Sequence, residues 1–141
     1  MAKILRVNMA EQKVTEEAVP AKYRMLGGRG LTSQIVMDEV PPNCHPLGPN
    51  NKLVIATGIV TGTAAASSGR ISVGAKSPLT GGIKEANAGT PVAQMLGRLQ
   101  IKAIIVEDQP QEGGTWRLRV TADGGELVQA DASPGGAATP D

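Results

Sequence analysis

The chain has 141 residues, within the usual span of one domain. With 18 glycines and 10 prolines it is turn-rich, yet 40% of its residues are hydrophobic; with no Phe, one Tyr and one Trp, its core must be built from Val, Ile, Leu, Met and Ala. The 14 basic and 13 acidic residues are interspersed and leave a net charge of +1, which argues against a basic nucleic-acid-binding stripe, and the aromatic shortage argues against a single-strand stacking platform.

Lys3 to Asn8 and Gln12 to Glu16 are β-prone runs that predict a hairpin, with Met9-Ala10-Glu11 as its turn. Pro20 to Leu26 predicts a short helical segment ending at Gly27-Gly28. Leu31, Ile35 and Val36 form one apolar stripe, so Leu31 to Val40 predicts a helix stopped by Pro41-Pro42. Pro41 to Asn51 is a loop by composition. Lys52 to Thr57, KLVIAT, predicts a strand buried on both faces. Gly58 to Gly69 is a run of small and polar residues, followed by a strand at Arg70 to Ala75 and a turn at Ser77 to Gly82. Ile83 to Gly89 predicts a short strand running into a glycine turn. Pro91 to Leu99 predicts the second helix, with Thr90 as N-cap, Pro91 in the first turn and Val92, Met95, Leu96 and Leu99 on one face. Ile101 to Glu107 is a further strand. Trp116 to Thr121 and Glu126 to Ala130 flank Asp123-Gly124-Gly125 as a terminal hairpin. The expectation is an α+β, β-rich domain of short, mostly antiparallel strands with two short helices, spanning residues 1–131, and a disordered tail at 132–141. Such a thin core could be completed by a partner surface.

No stretch approaches the roughly 18 apolar residues of a membrane span, and the start of the chain does not resemble a signal peptide, so a cytoplasmic protein is expected. The lone cysteine, Cys44, allows neither an internal disulfide nor a self-contained iron–sulfur cluster, which takes about four cysteine ligands. Cys44-His45 is an unsuitable metal or nucleophile pair, because adjacent residues rarely chelate together and His45 is the only histidine. Neither GxGxxG nor GxxxxGK[ST] is present. The chemistry is instead expected between Gly58 and Gly89, where small residues let a ligand approach the backbone. Arg70, directly after Gly69, reads either as an anion anchor beside exposed N–H groups or as a surface arginine opening a strand. Asn87 and Gly89 precede a helix N-terminus, a ready anion site, and read equally as turn residues.

Several motifs stand in one order. They are ILRVN at Ile4–Asn8, LGGRGL at Leu26–Leu31, PLGPNNKL at Pro46–Leu53, TGT at Thr61–Thr63, GR at Gly69-Arg70, KSPLTG at Lys76–Gly81, ANAG at Ala86–Gly89, and an apolar strand ending at Val106-Glu107. Together they resemble the N-terminal domain of the aldehyde ferredoxin oxidoreductase family over residues 3–132. The resemblance implies a β-rich base for a tungsten or molybdenum bis-pterin, with a [4Fe–4S] cluster held elsewhere. It implies oxidation of an aldehyde to a carboxylic acid, with ferredoxin as electron acceptor; other branches act on aromatic thioesters. It assigns a pterin phosphate contact to Arg70. It gives Asn87 a backbone carbonyl contact to a magnesium ion bridging the two pterins, and makes Gly69, Ala88 and Gly89 cofactor-lining positions. This chain differs at Thr90-Pro91 and at Leu99–Ala103, and the family's cluster cysteines and second glycine- and arginine-rich cofactor segment have no counterpart in it. It is therefore expected to be a split subunit or an N-terminal fragment of such an enzyme, with the cluster and substrate domains in a larger partner chain or in the missing domains, and not to turn over substrate alone. The alternatives are a stand-alone pterin- or phosphate-binding module, or a vestigial domain that self-associates.

Overall fold

The computed structural model describes residues 2–111 and 114–130, so the expected domain end and the tail at 132–141 lie outside the described residues. Strands β1 (Lys3–Asn8) and β2 (Lys13–Ala18) form the first hairpin, in the register Lys3 opposite Ala18. Its turn needs no glycine, because the Asn8 side chain accepts from the N–H groups of Ala10 and Glu11, both at 3.0 Å. Helix α1 covers Gly28–Glu39, followed by β3 (Lys52–Thr57), β4 (Arg70–Lys76) and β5 (Ile83–Gly89). Helix α2 (Pro91–Arg98), β6 (Ile101–Glu107), β7 (Trp116–Thr121) and β8 (Gly124–Gln129) complete the order. The architecture is the expected α+β one, with two helices and mostly antiparallel strands.

Six strands form one sheet in the order β2-β1-β6-β3-β4-β5, and β7 with β8 forms a separate hairpin. The β1–β6 pair is parallel; the other pairs are antiparallel. Alternation along the strands splits the core into two layers. On one side, Leu31, Ile35 and Val36 of α1 pack on Ile4, Val54, Ala56, Ala103 and Ile105. On the other, Leu96 of α2 and Leu118, Val120 and Leu127 of the hairpin pack around Leu5, Val7, Ile101 and Ile104. The packing of α1 on β4 is close, for a Cβ on Gly74 would lie 2.9 Å from Thr32 Cβ.

Four expectations need correction. The segment after Pro20 forms only a single 3-10 turn, Ala21–Tyr23, because Tyr23 is drawn into the core and donates its hydroxyl to Asp38 Oδ2 at 2.7 Å. Helix α1 begins three residues early, on Gly28-Arg29-Gly30, since Gly27 and Gly28 open the helix rather than end the preceding segment. Strand β3 is not buried on both faces. Val54 and Ala56 are covered by α1, but Leu53 is 42% exposed, because α2 and the terminal hairpin cover only part of the second face. The strand expected at Ile83 to Gly89 is β5, but it does not give way to a turn at Asn87 or Gly89, because its pairing with β4 continues as far as Arg70 opposite Gly89.

Thr90 caps α2 as expected, its hydroxyl accepting from Ala93 N, with Pro91 in the first turn. Thr90→Ala is expected to cost about 1 kcal/mol, read as a lower denaturant midpoint at unchanged slope.

Candidate functional site

The approach to Arg70 is a backbone held at several points. Thr61 is buried; its hydroxyl donates to Ser68 C=O at 2.6 Å and accepts from Gly58 N–H at 3.0 Å. Gln94 of α2 accepts from Gly62 N–H at 3.0 Å, and its amide lies over Gly69. Gly62 and Gly97 then meet backbone to backbone, with no room for a Cβ on either. The small residues of the 58–69 segment are used in part for this contact with α2.

Thr90 N–H donates to Gly69 C=O at one end of the β4–β5 ladder, at 3.2 Å, and Ser77 N–H donates to Gly82 C=O at the other, at 2.8 Å. Both bonds set the same alternation. Arg70–Gly89, Ser72–Asn87, Gly74–Glu85 and Lys76–Ile83 are the pairs that exchange no main-chain hydrogen bonds. Strand β5 is the last of its sheet. The main-chain N–H and C=O of Glu85, Asn87 and Gly89 therefore point away from β4, onto an open edge. Those of Ala88 point back to Ile71.

The same alternation puts Arg70, Ser72, Glu85 and Asn87 on the α1 face. Asn87 Oδ1 accepts from Arg70 Nε, and Asn87 Nδ2 donates to Ser72 Oγ at 3.0 Å. Side-chain pairs are closest in the rungs without main-chain bonds, which is why Ser72 and Asn87 meet. A Cβ on Gly89 would lie 3.3 Å from Arg70 Nη1, so the glycine leaves the guanidinium its place. Arg70 is exposed, and its terminal nitrogens have no hydrogen-bond partner among the described residues.

Helix α1 ends over this patch. A Cβ on Gly28 would lie 3.5 Å from Ser72 Oγ, and the first turn has neither a side-chain cap nor an acidic residue. An uncapped N-terminus adds positive potential to that of Arg70. Arg29 Nε donates to Glu85 Oε2 at 3.0 Å. The Ser72 hydroxyl, opposed by burial and helped by Arg29, holds the Glu85 carboxyl below its ordinary range. The surroundings thus offer donors and positive charge, as an anion requires.

Of the positions singled out from the sequence, Arg70, Asn87 and Gly89 come together. Gly69 spends its carbonyl on Thr90, and the side chain of Ala88 faces the other side of the sheet. Cys44 packs against the α1 core layer, and His45 Nδ1 accepts from Leu47 N–H at 3.1 Å. Sequence reasoning missed Ser72, Glu85 and the N-terminus of α1. The period-two spacing of Arg70 and Ser72, and of Glu85, Asn87 and Gly89, was the available signal. Among the described residues no helix is long and apolar enough to cross a membrane.

Comparison with known proteins gives this geometry a family. Residues 4–139 match the aldehyde ferredoxin oxidoreductase, N-terminal domain family. The tungsten-containing aldehyde ferredoxin oxidoreductase of Thermococcus kodakarensis is 41% identical over 112 residues, which are 78% of this chain and 18% of that protein. The Pyrococcus furiosus enzyme of the same name is 39% identical over the same shares. A chain of the BamBC active-site complex of benzoyl coenzyme A reductase, solved with 1,5-dienoyl-CoA, superposes with a TM-score of 0.83 at 27% identity, covering 91% of this chain and 20% of that one. The chain thus spans about a fifth of the length of each relative. It belongs to the aldehyde ferredoxin oxidoreductase family, and what it holds of that family is the N-terminal domain.

Proposed function

We propose that this domain holds the phosphate-bearing end of a tungsten or molybdenum bis-pterin, and that it does so as part of a larger aldehyde-oxidising enzyme. The observation behind this reading is the β5 edge. There the terminal nitrogens of Arg70 and the outward carbonyl of Asn87 stand together beside an uncapped helix N-terminus. The residues present fit such a group. Arg70 would take a phosphate through charge-assisted hydrogen bonds. The Asn87 carbonyl, free of the sheet ladder, would be an oxygen ligand for magnesium, which prefers hard oxygen donors. Gly89 would keep the guanidinium's place open and Gly69 would line the approach, whereas the Ala88 side chain, on the other face, would not. When bound, the metal centre would supply the oxidation of an aldehyde to a carboxylic acid, with electrons leaving through a [4Fe–4S] cluster to ferredoxin. The domain's own part is to bind and orient. The cluster and the substrate pocket belong to the four-fifths of the relatives' length outside this match, present as a partner chain or as further domains, and we place the assembly in the cytoplasm.

Arg70→Ala in the assembled enzyme is expected to lower the metal and pterin recovered per protein about tenfold, the scale of one lost hydrogen bond to a charged group. Tungsten and molybdenum by mass spectrometry, with released pterin by fluorescence, would measure it. Unchanged content would overturn the reading. Asn87→Ala keeps the main-chain carbonyl and is expected to lose less.

A further inference from the structure

We propose that Glu85 is a positioning residue that aims Arg70 at its anion, acting through Ser72 and Asn87. The inference rests on the reading of Arg70 as an anion contact. It begins from an orphan: the Glu85 side chain is 8% exposed, its Oε2 is taken by Arg29, and its buried Oε1 has no donor at hydrogen-bond geometry. Its neighbour on the diagonal of the β4–β5 ladder, on the same face of the sheet, is Ser72, which is fully buried. Ser72 Oγ already accepts from Asn87 Nδ2 at 3.0 Å, so the serine proton must leave in another direction. Glu85 Oε1 is the unfilled acceptor beside it.

The polarity then runs one way along the face. A carboxylate only accepts, so Ser72 donates to it and accepts from Asn87. An amide that gives its NH2 to Ser72 must turn its oxygen to Arg70, and that oxygen receives Arg70 Nε. Arg70 is thereby held by its inner nitrogen and has its terminal pair free. Without the acceptor at position 85, the serine proton can turn toward Asn87. The amide can then rotate and set its NH2 against Arg70 Nε, donor to donor, which releases the guanidinium.

The test is hydrogen exchange of the Arg70 Nε–H, followed by NMR on the 141-residue chain, with the amide spectrum as the check of folding. Glu85→Met and Ser72→Ala are each expected to speed that exchange about tenfold. The double variant should be no faster than either single one, because both cut the same chain. Glu85→Gln still offers an amide oxygen to Ser72 and should stay close to the parent. Unchanged exchange in Glu85→Met, or single effects that multiply in the double variant, would overturn the proposal. Should Glu85→Met lose its folded spectrum, Ser72→Ala and Glu85→Gln decide: fast and slow support the chain, equal rates refute it. Titration with inorganic phosphate on the same samples separates the two readings. A Glu85-dependent Arg70 signal that phosphate does not move leaves the positioning chain standing and removes the cofactor reading.

Discussion

Replacing Gly62 by alanine is expected to destabilise the domain by about 3 kcal/mol, the sum of a left-handed backbone penalty and an overpacked contact. Gly62 has φ +87°, and a Cβ there would lie 2.5 Å from the carbonyl carbon of Gly97 and 2.7 Å from Arg98 N. From the other side, a Cβ on Gly97 would lie 2.3 Å from Thr61 O. All of these are main-chain atoms, so no side chain can swing aside. Either the loop lifts from α2 or the end of α2 moves. The loop also loses its hold on Arg70, because Gln94 reaches Gly62 N–H only while the two backbones touch. Urea unfolding should show a lower midpoint at unchanged slope, and Gly97→Ala should behave alike. Because both act on one contact, the double variant should fall short of the sum. A shift of less than about 0.5 kcal/mol in both would show that the contact is not held in solution.

That contact also shows where the sequence could be read and where it could not. The helix at Pro91 was legible because its signals are local: a Thr90 cap, a proline at the first helical position and an apolar face at i, i+3, i+4, i+7. The β1–β2 hairpin and the strands at Lys52, Arg70 and Ile101 were legible for the same reason. Asn87 and Gly89 were open to a turn reading because asparagine and glycine prefer turns locally. The pairing with Arg70 and Ser72 that makes them a strand is a tertiary fact. The Arg70–Asn87–Gly89 set could be named from the family pattern, but its support could not. Ser72, Glu85 and the first turn of α1 reach the site only through strand register and the packing of Gly28, which no single segment reveals. The order β2-β1-β6-β3-β4-β5 was equally hidden, since β6 inserts between β1 and β3 from far along the chain.

The other large effect is expected at Arg6, where Arg6→Ala should cost about 3 kcal/mol at neutral pH, near the lower end for breaking a buried ion pair. Arg6 binds Glu17 at 2.6 and 3.1 Å, Glu39 at 2.8 Å and Glu107 at 3.0 Å. Lys52 joins the same Glu39 and Glu107 at 3.0 and 2.8 Å. Two cations thus hold three carboxylates and tie together β1, β2, α1, β3 and β6. The side chains of Arg6, Glu39, Glu107 and Lys52 are 16–23% exposed, so water does little to replace a lost partner. Without Arg6, Glu39 and Glu107 share one lysine, and Glu17 loses the cation it binds. The pH dependence follows from the direction of each shift. Burial pushes the Glu39 carboxyl up, but Arg6 and Lys52 together outweigh it and hold it below its ordinary 4.5. A carboxylate depressed by folding gives stability that is complete above its ordinary value and is lost as pH falls through the folded one. Burial lowers Lys52, but Glu107 and Glu39 outweigh it and raise it above 10.5, so its share is complete below 10.5 and lost as pH rises through the folded value. The wild-type network is therefore intact between these limits and weakens in acid. Arg6→Ala removes the main cation that depresses Glu39, so the variant has less to lose there. The gap between wild type and variant should be widest near neutrality and smaller at about pH 3, on the acid side of the 4.5 above which the Glu39 contribution is complete. Urea unfolding of both proteins at the two pH values measures it. A gap of the same size at both would assign the loss to the packing of the Arg6 stem rather than to its charge.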